Sequence, residues 1–218
     1  MWEGPWDVGI RFYSPDVTAK TFGRAEIEGT YRAAVDYLLA RPDVDADRLI
    51  VTGESYGGAK TMLHACSEDR FAAVVPNSPI YSIPLLFNAN PLTAFRGNAE
   101  DSAKTIEGLP FFARVTLERV IWSHDFDSLV DWIPAAEQHL VSDPQDIKCP
   151  FLSMSSESES AELKRQAQYS YDHVSSTVKA IKTGKVEDGA DLHVQVNNLA
   201  LGQQMMFDWL DEVLDYQG

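Results

Sequence analysis

Apolar residues recur at helical spacing from Ala25 to Arg41, at Ile27, Tyr31, Ala34, Val35, Leu38 and Leu39, and Pro42-Asp43 ends that helix. A short polar loop, Val44-Asp-Ala-Asp47, leads into the apolar run Arg48-Leu-Ile-Val-Thr52, which predicts a buried strand over 48–53. Gly58 to Cys66 then predicts a helix, Ser67 to Arg70 a turn, and Phe71-Ala-Ala-Val-Val75 a second buried strand. The rhythm returns late in the chain. Cys149 to Ser155 predicts a strand, Ser160 to His173 a helix, and Val178 to Lys182 a final strand with clear alternation. Leu199 to Leu214 closes the chain as an amphipathic helix that offers Met205, Met206, Trp209, Leu210 and Val213 to the sheet. Helix and strand alternating at this pitch predict an α/β fold, a mainly parallel sheet with helices on both faces.

Residues 78–146 interrupt the rhythm. They carry Tyr81, Phe87, Phe95, Phe111, Phe112, Trp122, Phe126 and Trp132 among the prolines Pro79, Pro84, Pro91, Pro110 and Pro134. This predicts a mostly helical cap inserted into a single domain whose core is 1–77 and 147–218. Such aromatics either line a pocket or form the cap's own core.

Between the first strand and its helix stands Gly53-Glu54-Ser55-Tyr56-Gly57. A serine on a tight strand-to-helix turn with small flanking residues is the nucleophile elbow of an α/β-hydrolase. Its competitor is a glycine-rich turn in which Ser55 only caps the helix. A serine hydroxyl is a weak nucleophile and needs a base, held in turn by an acid, with the order serine, acid, histidine along the chain. Of the five histidines, His193 alone lies in a loop after the last strand, Asp188-Gly-Ala-Asp-Leu-His193. His64 lies in the helix after the elbow, His124 and His139 in the cap region and His173 on a helix; these read as packing or surface residues. The acid belongs just past the strand that ends near Ser155, where Glu157 and Glu159 both stand. In an extended segment they point to opposite sides; Glu159 is preferred, with Glu157 the alternative and two solvated loop acids the bland reading. Asp188 and Asp191 are too near His193 to be its usual partner, and Asp191 is assigned to orienting the loop. The backbone N–H of Tyr56 is the expected oxyanion donor.

Composition narrows the partners. With 18 basic against 33 acidic residues the net charge is −15, which disfavours nucleic acid and anionic membrane. Cys66 and Cys149 lack metal-ligand spacing and read as small buried hydrophobes. No secretory signal, membrane span or metal-ligand cluster is visible, so the expectation is a cytoplasmic protein that works on a small molecule without metal or organic cofactor.

Glu3-Gly-Pro5, Phe12-Tyr-Ser-Pro-Asp16, Val35-Asp-Tyr-Leu38, Asp43-Val-Asp45, Gly53-Glu-Ser-Tyr-Gly-Gly58, Cys149-Pro150 and Asp188-Gly-Ala-Asp-Leu-His193 together resemble the FrsA-like branch of α/β-hydrolases. That branch includes fungal hydrolases that shorten polyketides in pigment pathways and bacterial C–C bond hydrolases. The resemblance spans nearly the whole sequence. It implies a serine hydrolase that cleaves an ester, or a C–C bond β to a carbonyl, in a bulky aromatic or polyketide-like molecule. It places the nucleophile on Ser55, the base on His193 and the acid on Glu159, where the family more often has aspartate. In such proteins the Glu-Gly-Pro loop follows an early strand. Here it sits at residues 3–5, so the N-terminal strands that would supply the second oxyanion donor are expected to be missing. A sheet edge left open in this way implies association into a homo-oligomer. Two other functions compete: a non-hydrolytic cyclase or ligand-binding protein on the same scaffold, and an interaction module built on the cap.

Overall fold

The computed structural model describes residues 24–88 and 97–215. The first helix of the described residues, α1 (Arg24–Leu39), leads through a 3-10 turn (Ala46–Arg48) into β1 (Ile50–Glu54). The Asp45 carboxylate accepts from the amide of Asp47 and caps that turn, which is why the strand starts at Ile50 rather than at Arg48. Next come α2 (Tyr56–Ser67) and β2 (Ala73–Asn77). Among the described residues four α-helices follow: α3 (Ile83–Asn88), α4 (Ala99–Glu107), α5 (Phe111–Ser123) and α6 (Leu129–His139). The chain then returns to β3 (Phe151–Ser156), α7 (Ala161–His173), β4 (Lys179–Gly184) and α8 (Leu199–Val213).

The four strands form one parallel sheet in the order β1-β2-β3-β4. The two inner strands, β2 and β3, are buried at every position, whereas β1 and β4 are not. A parallel strand covered on both faces tends to an apolar run, as in Ala73-Val-Val75 of β2, while β3 places Ser153, Ser155 and Ser156 among its buried residues and the outer β4 keeps an alternation. The ladder runs past Pro76 to Asn77, two residues beyond the predicted end of β2. It holds there because the Ser55 amide donates to Asn77 O at 2.9 Å and the Ser78 amide to Met154 O at 2.8 Å.

Contacts divide the described residues into two compact units, one of 24–31 with 83–88 and 97–141, the other of 32–82 with 142–215. The second unit holds the sheet. On one face Val35, Met62, Ala65, Phe71, Val74, Ile147, Phe151 and Val174 form a single buried cluster, so α1 and α2 pack there with the start of α7's following turn. Each side chain the size of Met62 or Phe151 contributes about 1.5–3 kcal/mol by leaving water. Thr52, one step along β1 from Val51, points to the opposite face, where its hydroxyl lies 3.6 Å from Met206 Sδ of α8. Helices therefore cover both faces, as the pattern predicted.

In the other unit Leu117, Leu129, Trp132, Ile133 and Ala136 are buried, and the Trp132 indole donates to His124 Nδ1 at 3.1 Å. The aromatics of residues 78–146 thus divide. Trp132 is core, Phe111 and Trp122 are exposed on α5, and Tyr81 stacks on Tyr169 within the sheet-bearing unit. Among the described residues no helix is long and apolar enough to cross a membrane. Glu3-Gly-Pro5, Phe12 to Asp16 and Phe95 lie outside the described residues.

Candidate active site

Parallel strands release their chain at one end of the sheet, and here Ser55, Glu159 and His193 all follow the C-terminal ends of strands in the sheet-bearing unit. Ser55 sits between β1 and α2 with φ 55° and ψ −116°, a left-handed conformation that costs about 1–3 kcal/mol for a residue with a side chain. The glycines around it let strand and helix close up. A Cβ on Gly53 would collide with the carbonyl of Gly57, and one on Gly58 would stand 2.6 Å from the carbonyl oxygen of Ser78. The strained turn aims the hydroxyl outward at the head of α2. There the first amide belongs to Tyr56, and the helix dipole favours negative charge.

His193 opens a 3-10 turn, His193–Gln195, whose residues Val194 and Gln195 both have φ 52°. Its Nε2 lies 2.8 Å from Ser55 Oγ and its Nδ1 2.6 Å from Glu159 Oε1. The ring is partly exposed, while the Glu159 side chain is wholly buried. Burial alone would raise the Glu159 carboxyl. Hydrogen bonds from His193, from the Ser78 hydroxyl and from the Ser156 amide outweigh it and hold the group below its ordinary range. An ionised carboxylate only accepts, so Nδ1 carries the ring proton and Nε2 is left to accept from the Ser55 hydroxyl. A hydroxyl, a neutral imidazole and a buried carboxylate in this order can pass the serine proton to the ring while the carboxylate stabilises the cation that forms. The carboxyl of Glu54, the residue before Ser55, is raised by burial, an effect that interaction with His193 partly offsets.

The two acids offered by the sequence separate cleanly. Glu157 is exposed and accepts from the Val186 amide at 3.0 Å. Residues 157–159 form a turn, with the Glu159 amide donating to Ser156 O at 3.2 Å, so turn geometry and not strand alternation brings Glu159 inward. Asp191 accepts from the Ser158 hydroxyl at 2.6 Å and from the Asn197 side chain at 3.0 Å, tying the acid turn to the histidine loop. The other histidines stand elsewhere. His64 is buried within α2, where desolvation holds it well below its ordinary range, and His173 stacks on Tyr169.

Two residues absent from the sequence-based list belong to this cluster. Ser78 donates to Glu159 Oε1 and lies 3.4 Å from His193 Nδ1. Gln195 is fully buried beneath the histidine loop, accepting from Asn77 Nδ2 at 2.8 Å and donating to Ser155 O and Ser156 Oγ. Neither stands in a motif. The available signal for Ser78 was its place in Asn77-Ser78-Pro79, a turn at the end of a strand.

A groove of about 630 Å3 lies at the opposite, N-terminal ends of the strands, lined by Arg32, Cys66, Glu68, Arg70, Lys148 and Cys149 among others. Neither cysteine is in a disulfide. The Cys66 thiol donates to Asp143 O, and burial pushes the Cys149 thiol up to about 11, which leaves it unreactive at neutral pH. Among the described residues no group of three or more His, Cys, Asp or Glu could hold a metal ion.

Comparison with known proteins bears on the fold. Residues 21–105 match the prolyl oligopeptidase family. The crystal structure of 2,6-dihydroxy-pseudo-oxynicotine hydrolase superimposes with a TM-score of 0.64 at 19% identity, over 91% of this chain and 49% of that one. AbyA5 gives 0.53 at 15% identity, over 85% of this chain and 48% of its own. VinJ gives 0.51 at 13% identity, over 85% and 71%. The chain therefore spans about half the length of the first and second of these structures. With the parallel sheet, the strained serine turn and these likenesses together, the chain has the α/β-hydrolase fold.

Proposed function

We propose that the protein is a serine hydrolase in which Ser55 is the nucleophile, His193 the general base and acid, and Glu159 the acid that orients and charges the histidine. The observation that carries the reading is the continuous hydrogen-bonded chain Ser55 Oγ–His193 Nε2 and Nδ1–Glu159 Oε1, at 2.8 and 2.6 Å. Ser55 Oγ attacks a substrate carbonyl carbon as its proton passes to His193 Nε2. Negative charge gathers on the carbonyl oxygen, for which the Tyr56 amide at the head of α2 is the donor. The intermediate collapses to an acyl-serine, and His193 gives its proton to the departing group. Water then loses a proton to His193, attacks the acyl carbon and releases the acid, and the proton returns to Ser55.

The finer reading is cleavage of a carboxylic ester, or of a C–C bond β to a carbonyl, in an aromatic or polyketide-like molecule. In the C–C case the departing carbanion leaves as an enolate and takes the His193 proton on carbon. The sequence resemblance to FrsA-like hydrolases and the fold likeness to a hydrolase of an oxynicotine derivative support it. The test is turnover of short aryl esters and of aryl 1,3-diketones by the wild type and by Ser55→Ala. Hydrolysis of either class that vanishes in the variant supports the reading and selects the bond. A folded wild type inert toward both classes overturns it in favour of a non-hydrolytic, ligand-binding role.

A further inference from the structure

The tip of β2, Asn77-Ser78, touches all three parts of the site. The Asn77 carbonyl accepts the amide of Ser55 at 2.9 Å. The Asn77 side chain donates to Gln195, two residues past His193. The Ser78 hydroxyl donates to Glu159 Oε1, the same oxygen that receives His193 Nδ1. Ser78 is only 1% exposed and has φ 61°, a left-handed conformation unfavourable for a serine. Four of the six described non-glycine residues with positive φ (Ser55, Ser78, Val194 and Gln195) stand at this one site. Backbone strain persists where surrounding contacts over-determine it, and it gathers where geometry matters to function. The carbonyl of Ser78 also packs directly against Gly58 of α2, so the tip is wedged between the nucleophile's helix and the acid's turn.

We propose that Ser78 is a positioning residue of this site, fixing the Glu159 carboxylate beneath His193 by sharing its Oε1 with the imidazole. The proposal rests on the hydrolase reading for its kinetic consequence, but its geometry stands apart from that reading. A buried carboxylate swings between rotamers unless both oxygens are held. Here the Ser156 amide holds Oε2, and Ser78 with His193 holds Oε1. The hydroxyl also favours the ionised carboxylate over its protonated form. Without it the site takes up its proton at higher pH. Among the described residues, Glu54 is a further charged group that interacts electrostatically with the imidazole.

The experiment uses Ser78→Ala and Ser78→Gly, with Glu157→Gln as control. Glycine accepts a φ near 61° without strain, so it removes the hydroxyl while relaxing the backbone. Two readouts are taken on each folded variant: the low-field proton resonance of His193 Nδ1–H, and the rate of Ser55 labelling by a fluorophosphonate against pH. Both Ser78 variants are expected to shift the resonance, to slow labelling about 10- to 100-fold, the scale of one hydrogen bond to a charged group, and to move the acid limb of the rate profile upward. The control leaves all three unchanged. If the glycine variant matches wild type in resonance, rate and acid limb, Ser78 has no positioning role. If the resonance shifts in the variants but the wild type itself is never labelled, the hydrolase reading fails and the role of Ser78 survives.

Discussion

The turns that carry Ser55 and Glu159 are built on opposite principles. Ser55 is fixed by backbone. A glycine on each side, a strained φ and the head of α2 set its direction, and all of these lie within five residues of it. Glu159 is turned inward by its own turn and held at Oε2 by the Ser156 amide, but its Oε1 depends on side chains that arrive from far along the chain, Ser78 at a separation of 81 residues and His193 at 34. A backbone-built position withstands changes to its neighbours' polar groups but not to their volume. A network-built position behaves the other way round.

That contrast orders the expected effects. Ser55→Ala and His193→Ala should each reduce kcat/KM by about 10^4-fold or more, because members of such a unit fail together and their losses do not add. Their thermal midpoints should stay near wild type in scanning calorimetry. Glu159→Gln should cost about 10^2- to 10^4-fold in kcat, since a neutral amide neither fixes the tautomer nor stabilises the imidazolium, whereas Glu157→Gln should stay within about threefold. Equal effects at the two glutamates would erase the distinction between the turns.

Gly58→Ala tests the backbone side. Its Cβ would stand 2.6 Å from Ser78 O and 2.9 Å from Asn77 O, both main-chain atoms that have no soft way to yield. The expected loss is about 2 kcal/mol, read as a fall of about 4–8 °C in Tm. A variant as stable as wild type would mean that the close approach is not required.

The smallest effect is on acid stability. The folded-state carboxyl of Glu159 is depressed below its ordinary value of 4.5, so it contributes stability that is present above that value and lost as pH falls through the lower, folded one. Glu54 is raised and works in the opposite sense, adding stability toward acid. Urea midpoints between pH 6 and pH 3 should therefore fall more steeply for wild type than for Glu159→Gln. Parallel slopes would remove Glu159 from the acid response.

The same contrast explains what the sequence let through. Helices α1 and α8 followed from their apolar spacing and β2 from its apolar run, whereas β3 is buried at every position although Ser153, Ser155 and Ser156 make up half of it. Ser55 was legible because its constraint is local and written in adjacent glycines. His193 was legible from chain order. The choice between Glu157 and Glu159 rested on strand alternation, yet the segment is a turn, and the Ser78 hydroxyl that holds Glu159 is a partner no local pattern announces. Ser78 escaped notice for that reason: alone it is a serine before a proline, and its role exists only once β2, the acid turn and the histidine loop are side by side. The apolar run that predicted β2 stops at Val75, whereas the ladder continues through Pro76 to Asn77.

The most direct test of the central claim is intact-mass spectrometry after exposure to a fluorophosphonate, with the adduct mapped by peptide sequencing. The account predicts one adduct on Ser55 in the wild type and in Glu157→Gln, and none in Ser55→Ala or His193→Ala. A folded wild type that gains no mass, or an adduct that survives in Ser55→Ala, would contradict it.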